Sequence, residues 1–318
     1  RRPRVRSRRR PRKPLSRAAR LTTWPSSHVM GARRGSLGVF QFFDDFLGAA
    51  MKFGFVGTGA MVGAIVRGAA AAGFNASDFV LSNRTPQDAK ALADEVGATT
   101  ARSNGSLAHQ VDVLVLGVKP AVQPGVIEQI AHIVRERPEM CVVSLAAGRT
   151  LDAILEDFGA CVPLVRVMPN VAARIGQSMS ALCSVGASDD QVAAVRRLMD
   201  AVGRTVVIDE KLFPVFQSLA SCSPAWLFQV IDSLARAGVK HGLPKDIAVR
   251  VVAQAMAGSA SLVLAASEEG RVPAQLIDQV CSPGGTTIAG LLAAEEGGLS
   301  ASLVGAVDAS IHADSHLG

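Results

Sequence analysis

The residues in this chain best suited to chemistry are Ser282-Pro283-Gly284-Gly285-Thr286-Thr287, which lie just before the apolar run Ile288 to Ala294. Ser-Pro halts the preceding segment, the glycines permit close approach and unusual dihedrals, and the threonines put hydroxyls at the start of the run. Unpaired N–H groups of a first helical turn bind anions, so this stretch could hold a carboxylate beside two hydroxyl donors. The alternative is an ordinary turn, with Ser282 or a threonine capping the helix and nothing bound.

A second constellation lies far upstream. Residues 52 to 65 read as a short apolar strand running into Gly57-Thr58-Gly59 and then into a helix beginning near Ala60 and Met61. That is the dinucleotide-binding arrangement of a Rossmann-type domain: Gly57 makes the tight turn, Gly59 lets backbone approach a pyrophosphate, and the helix start supplies N–H donors. The third fingerprint position holds Val62 instead of glycine or alanine, with Gly63 next.

The next strand, Phe79 to Ser82, ends in Asn83-Arg84-Thr85-Pro86, with no acidic residue to hydrogen-bond the ribose hydroxyls of NAD. Ser82, Asn83 and Arg84 offer neutral donors and a guanidinium instead, which suits a 2′-phosphate and favours NADPH over NADH. The alternative is a solvated Arg84 beside a helix start at Thr85-Pro86.

These residues need elements to position them, and the chain supplies repeated strand and helix units. Gln87 to Val96 reads as a helix stopping at Gly97. Val111 to Leu116 is a buried strand ending at Gly117-Val118-Lys119-Pro120, Met140 to Leu145 is another, and Leu164 to Val167 runs into Met168-Pro169-Asn170. Apolar strands alternating with helices imply a parallel sheet covered on both faces, with ligands at the strands' carboxyl ends. Val118, Lys119, Pro120 and Asn170 therefore become candidates to line nicotinamide and ribose, or else are strand-end turn chemistry. Ala181 to Val185, a helix over 190–202 and Arg204 to Ile208 close this region.

From Lys211 onward no strand is evident. Trp226-Leu227, Val230-Ile231 and Leu234 repeat at helical spacing, Gly238 and Gly242-Leu243-Pro244 break the run, and another long helix continues to about Ala266. The expected organisation is a basic extension over 1–50, a dinucleotide-binding domain over 51–210 and an all-helical domain over 211–318. These helices carry more apolar surface than water tolerates, which implies burial against a second subunit, with a monomeric bundle as the alternative.

Five segments in order, Phe55 to Met61, Val118-Lys119-Pro120, Arg166 to Asn170, Ala237 to Pro244 and Asp278 to Thr287, closely resemble the pyrroline-5-carboxylate reductase family over about Met51 to the C-terminus. The resemblance implies a dinucleotide-binding domain followed by a helical dimerisation domain with interleaved helices, assembled in some members into rings of dimers. It also implies reduction of a cyclic imino acid to proline. The carboxylate would rest on the N–H groups of Gly285, Thr286 and Thr287 and the hydroxyl of Ser282. Thr287 is, by similarity, the hydroxyl that reaches the imine nitrogen. A threonine is a poor acid, so it acts as donor and orienter, with the proton coming from a pre-protonated iminium or a water chain.

One segment departs from the pattern. Ala220-Ser221-Cys222-Ser223-Pro224-Ala225-Trp226 stands where the family commonly has Ser-Gly-Ser-Gly-Pro-Ala-Tyr, so the pocket could be reshaped toward a related cyclic imine. The rival function is another NADP-dependent imine or β-hydroxyacid reductase using a lysine acid, for which Lys240 and Lys245 are the candidates. His241 reads as a helix-end histidine and not a catalytic one.

Composition bounds the remaining choices. Five cysteines without a CxxC pair argue against a disulfide framework or a zinc site, and for a reducing compartment. No apolar run reads as long and charge-free enough to span a membrane. The formal charge of +6 is local in origin: residues 1–50 hold thirteen Lys and Arg against two Asp, and the rest holds twenty basic against twenty-five acidic residues. An acidic body carries no nucleic-acid footprint. The arm is expected to be disordered, being either transit-peptide-like or an overextended reading frame ahead of Met51, and the protein cytoplasmic.

Overall fold

The computed structural model of the chain describes residues 51–314. The expectations for the basic arm, residues 1–50, lie outside the described residues.

An eight-stranded sheet in the order β3-β2-β1-β4-β5-β6-β7-β8 organises the first part. Its strands are β1 (Phe53–Val56), β2 (Phe79–Ser82), β3 (Thr99–Thr100), β4 (Val113–Leu116), β5 (Cys141–Ser144), β6 (Leu164–Met168), β7 (Ser178–Val185) and β8 (Gly203–Val207). Strand period two divides the core cleanly. Phe53, Phe55, Phe79, Leu81, Val113, Val115 and Val143 face one layer, which is closed by α1 (Ala60–Ala71), α2 (Pro86–Val96) and α6 (Asp189–Asp200). Val56, Val80, Leu114, Leu116, Val142 and Leu164 face the other, closed by α3 (Asn104–Ala108), α4 (Gln123–Arg135) and α5 (Leu151–Phe158).

The sheet is parallel from β3 through β6, as expected, but β7 runs antiparallel to β6. The reason is chain length. Residues 169–177 hold only a short 3₁₀ turn, Val171–Ile175, and a parallel crossover needs a dozen residues or more. β8 returns parallel to β7 through α6.

The third fingerprint position shows how packing compensates for sequence. Where a small residue would bring helix and sheet together, Val62 is fully buried against Gly117 at the end of β4, and a Cβ at Gly117 would overlap Val62 Cγ2. The small residue has moved to the facing strand.

Beyond β8 the chain is helical throughout the described residues: α7 (Phe213–Phe216), a π-helical turn (Gln217–Cys222), α8 (Ser223–Lys240), α9 (Lys245–Glu268), α10 (Pro273–Val280), α11 (Thr286–Glu296) and α12 (Leu299–Asp314). Phe228, Leu262, Val280 and Val304 are each more than 60% exposed on these helices, at 63, 65, 65 and 62%. An apolar surface of this kind marks an interaction face.

α9 also corrects one expectation. By length and composition alone it is apolar enough to cross a membrane, with 6% of its most apolar window buried. Its charges, Lys245, Asp246, Arg250 and Glu268, cluster toward its ends and leave the middle bare.

Because Gly117 and Val62 share one space, Gly117→Ala should lower stability by about 1–3 kcal/mol, the usual penalty of overpacking. Adding Val62→Ala should recover part of that loss. Chemical denaturation of the two single variants and the double variant measures the coupling, and strict additivity would contradict this packing account.

Candidate active site

The strand order reverses at β1, with β2 on one side and β4 on the other. Loops leaving the carboxyl ends of these strands therefore converge on one edge, where open α/β sheets bind ligands. Gly57 has φ of 90° and donates its N–H to Ser82 O at 2.7 Å. A Cβ there would stand 2.8 Å from Gly117 O, so both dihedral and space require glycine.

Gly59 is the N-cap of α1, with no side-chain cap and no acidic residue in the first turn, and a Cβ on it would meet nothing within 4 Å. The Thr58 hydroxyl is buried without a hydrogen-bond partner among the described residues. An uncapped helix start, an open approach over Gly59 and an orphaned hydroxyl fit a pyrophosphate, so Thr58, Gly59, Ala60 and Met61 would hold a dinucleotide there. A cleft of about 350 Å³ opens beside this turn, lined by Thr58, Gly59, Ala60 and Gly63 and, across from them, Arg67 and Asp88.

In the β2 loop, Ser82 and Asn83 are already engaged in hydrogen bonds within the protein. Ser82 is buried and its hydroxyl donates to Asn104 Oδ1 at 2.8 Å, so it faces the interior. Asn83 Nδ2 donates to Asp88 Oδ2 at 3.1 Å and to Thr85 O at 3.2 Å, and Asn83 Oδ1 accepts the Thr58 N–H at 3.4 Å. Asp88, in the first turn of α2, is thus a site residue that strand-end reading missed; its place six residues past β2 was the available signal. Arg84 is exposed and has no ion pair or hydrogen bond among the described residues. Arg67 is committed to Glu95 through two bonds of 2.6 and 2.7 Å, which raise the arginine pKa and lower that of the carboxylate.

On the other side of β1, Val118 is half-buried and Lys119 and Pro120 are exposed. Lys119 O accepts the N–H groups of Val122 and Gln123, which starts α4, and its ammonium is free among the described residues.

Asn170 sits at the end of β6, but its side chain is already engaged. Oδ1 accepts the Ala172 N–H at 3.1 Å and Nδ2 donates to Ala220 O, in the π-helical turn, at 2.9 Å. Ser221 Oγ reciprocates by donating to Pro169 O at 3.2 Å. Close by, Arg166 is 5% exposed, donates to Glu210 Oε1 at 2.7 Å and lies over the Phe213 ring at 4.4 Å. Glu210 Oε1 also accepts the Leu151 N–H at 2.8 Å. Burial, with the Glu210 charge adding to it, pushes the Cys183 thiol up to about 12, so that sulfur is inert.

The Ser282 to Thr287 stretch folds as a turn followed by the start of α11. Gly284 has φ of 67°, and Gly285 is the N-cap with no side-chain cap, so neither Ser282 nor a threonine caps the helix. A Cβ at Gly285 would overlap Ser282 Oγ, so glycine is what lets this hydroxyl lie over the helix start.

One expected donor is already used: the Gly285 N–H donates to Ser282 O at 3.0 Å inside the turn. The first helical bond runs from the Ala289 N–H to Gly285 O, leaving the N–H groups of Thr286, Thr287 and Ile288 free among the described residues. Thr286 and Thr287 are exposed. No hydrogen bond joins residues 281–287 to residues 51–210 among the described residues.

Comparison with known proteins adds the lineage. Residues 210–317 match the family model described as pyrroline-5-carboxylate reductase dimerisation, and residues 52–148 match that described as NADP oxidoreductase, coenzyme F420-dependent. A pyrroline-5-carboxylate reductase of Pisum sativum is 32% identical over 265 residues, spanning 83% of this chain and 95% of that protein. A solved pyrroline-5-carboxylate reductase of Coxiella burnetii superposes with a TM-score of 0.80 at 28% identity, covering 85% of this chain and 99% of that one. A pyrroline carboxylate reductase of Plasmodium falciparum, solved with NADP bound, superposes with a TM-score of 0.73 at 26% identity, covering 84 and 98%. Similarity that runs through both the sheet and the helices, at this identity and coverage, means that the chain belongs to the pyrroline-5-carboxylate reductase family.

Proposed function

We propose that the protein reduces 1-pyrroline-5-carboxylate to L-proline with NADPH as the preferred donor, as the last step of proline synthesis. The observation that carries this reading is the uncapped start of α11, three free N–H groups beside exposed threonine hydroxyls, in a chain that also builds a dinucleotide turn. A small carboxylate is the ligand such a turn suits, because the helix dipole and the unpaired donors act on the same atoms.

When bound, the nicotinamide supplies the hydride that adds to the imine carbon. The chain's own task is positioning and charge. The N–H groups of Thr286 and Thr287, with the Ser282 hydroxyl, hold the carboxylate and so fix the ring. The Thr287 hydroxyl donates to the ring nitrogen as it becomes an amine, and the proton arrives on a pre-protonated iminium or through water.

The rival reading, a lysine acid of the imine or β-hydroxyacid reductase kind, needs Lys240 or Lys245, and Lys240 is exposed on the last residue of α8. Lys245 is bonded to Asp232 at the exposed α8–α9 corner, and that lysine, followed by Arg236, holds the Asp232 carboxyl below its usual pKa.

For the cofactor, the free guanidinium of Arg84 beside the Thr58–Asn83–Asp88 connection supports a 2′-phosphate contact. The exposed apolar faces of α8 to α12 support a homodimer, and rings of dimers are the larger assembly we would look for. The bare middle of α9 is then a subunit contact and not a lipid contact. Five free cysteines support a reducing, cytoplasmic location.

Pyrroline-5-carboxylate should drive NADPH oxidation at neutral pH, and proline should drive NADP reduction at high pH. Inactivity in both assays would overturn the assignment. Thr287→Val should lower kcat by roughly tenfold to a hundredfold with the fold intact by circular dichroism, while Thr287→Ser retains most activity. Arg84→Ala should raise the KM for NADPH by about tenfold and leave that for NADH nearly unchanged, since a charge-assisted phosphate bond is lost only with the former.

A further inference from the structure

The loop after β6 and the π-helical turn before α8 lie 50 to 52 residues apart in sequence and are joined by direct polar bonds. The Asn170 amide donates to Ala220 O at 2.9 Å and the Ser221 hydroxyl donates to Pro169 O at 3.2 Å. Adjacent residues on each side exchange bonds in opposite directions, so the pair resists both sliding and separation.

Each partner is also anchored from behind. The Asn170 N–H donates to Ser178 Oγ at 3.2 Å, and Ser178 Oγ contacts Ser180 Oγ, both serines being buried. On the helical side, buried Ser218 donates to Val307 O at 3.4 Å and Gln217 donates to Asp314 Oδ1 at 2.6 Å. The π-helical turn is thus clamped between the carboxyl edge of the sheet and α12. A π turn is a rare single-turn bulge within a helix and is frequently found at functional sites.

We propose that Ser221 is a positioning residue for the reductase reaction: with Asn170 it clamps the Gln217–Cys222 turn to the ligand-binding edge of the sheet and so fixes the wall of the reaction site. It touches no reacting atom in this role. In the motif that this segment otherwise resembles, glycine occupies the place of Ser221, and glycine has no hydroxyl to donate. Without the Ser221 hydroxyl the junction would be left to the Asn170 amide alone. A turn held in this way limits misplacement of bound reactants, to which rates are far more sensitive than affinities.

The inference rests on the reductase reading, so turnover of pyrroline-5-carboxylate by the native full-length protein is measured first, and its absence would count against that reading only. Amide hydrogen exchange over residues 217–222, compared between native protein and Ser221→Ala, then tests the clamp without any substrate. Exchange should be faster in the variant, and equal exchange overturns the clamp. In the assay, Ser221→Ala should lower kcat about fivefold with the KM for NADPH within about twofold of native, and Ser221→Thr should restore kcat. Unchanged kcat, a loss that Ser221→Thr does not restore, or failure of Ser221→Ala to fold would each overturn the positioning role.

Discussion

Arg166 puts a guanidinium inside the protein, and the way its charge is satisfied determines where the helical segment begins. The side chain rises from β6 on the face that also carries Leu164 and Met168, among apolar residues that offer it no acceptor. Glu210, just beyond β8, is the acceptor, and Phe213 covers the guanidinium plane. Removing Glu210 would leave the buried Arg166 guanidinium charged and without its carboxylate, a change that costs about 3–5 kcal/mol at fully buried pairs. The same carboxylate takes the first N–H of α5, so one residue ties β6, the start of α5 and the entry to α7 to a single point.

From that point the remaining architecture follows. With 210–213 fixed against β6, the π-helical turn arrives beside the Met168-Pro169-Asn170 loop and not elsewhere on the sheet. α8 leaves from there and folds back on α9, where Gly238 lets Ala248 approach closely. Beyond this pair the helices lose contact with the sheet's core and expose apolar side chains. Buried side chains are correspondingly sparse in α8 and α9 and absent among the described residues of α10 to α12. Among the described residues the chain therefore has a filled core around the sheet and leaves apolar helix faces open, and this contrast is what supports the proposed homodimer.

The dinucleotide turn was legible in the sequence because its requirements are local. A glycine at positive φ and a helix start three residues later leave a pattern within six positions. The same locality made α11 legible, since Gly284 and Gly285 can only punctuate a helix. What local pattern could not supply was the destination of each polar group. Asn170 was a candidate cofactor ligand by its strand-end position, yet its amide is spent on Ala220 fifty residues away. The Gly285 N–H was a candidate carboxylate donor, yet the turn itself consumes it. Asp88 was overlooked because it lies in a helix, although that helix's first turn faces the loop it supports.

By itself, the sequence determined seven of the eight strands, the two turns that could bind anions, and the change from sheet to helices near residue 210, all consequences of side-chain periodicity and glycine placement; the two-residue β3 and the short α3 left no such pattern. Tertiary structure alone decided that β7 runs antiparallel, that Gly117 takes over the small-residue role vacant at Val62, and that Arg166 and Glu210 pair. It also decided which hydrogen-bond donors stay free. The physical reason is range: dihedral preference and periodicity act over a few residues, whereas packing volume and the pairing of buried polar groups are settled between segments that only folding brings together.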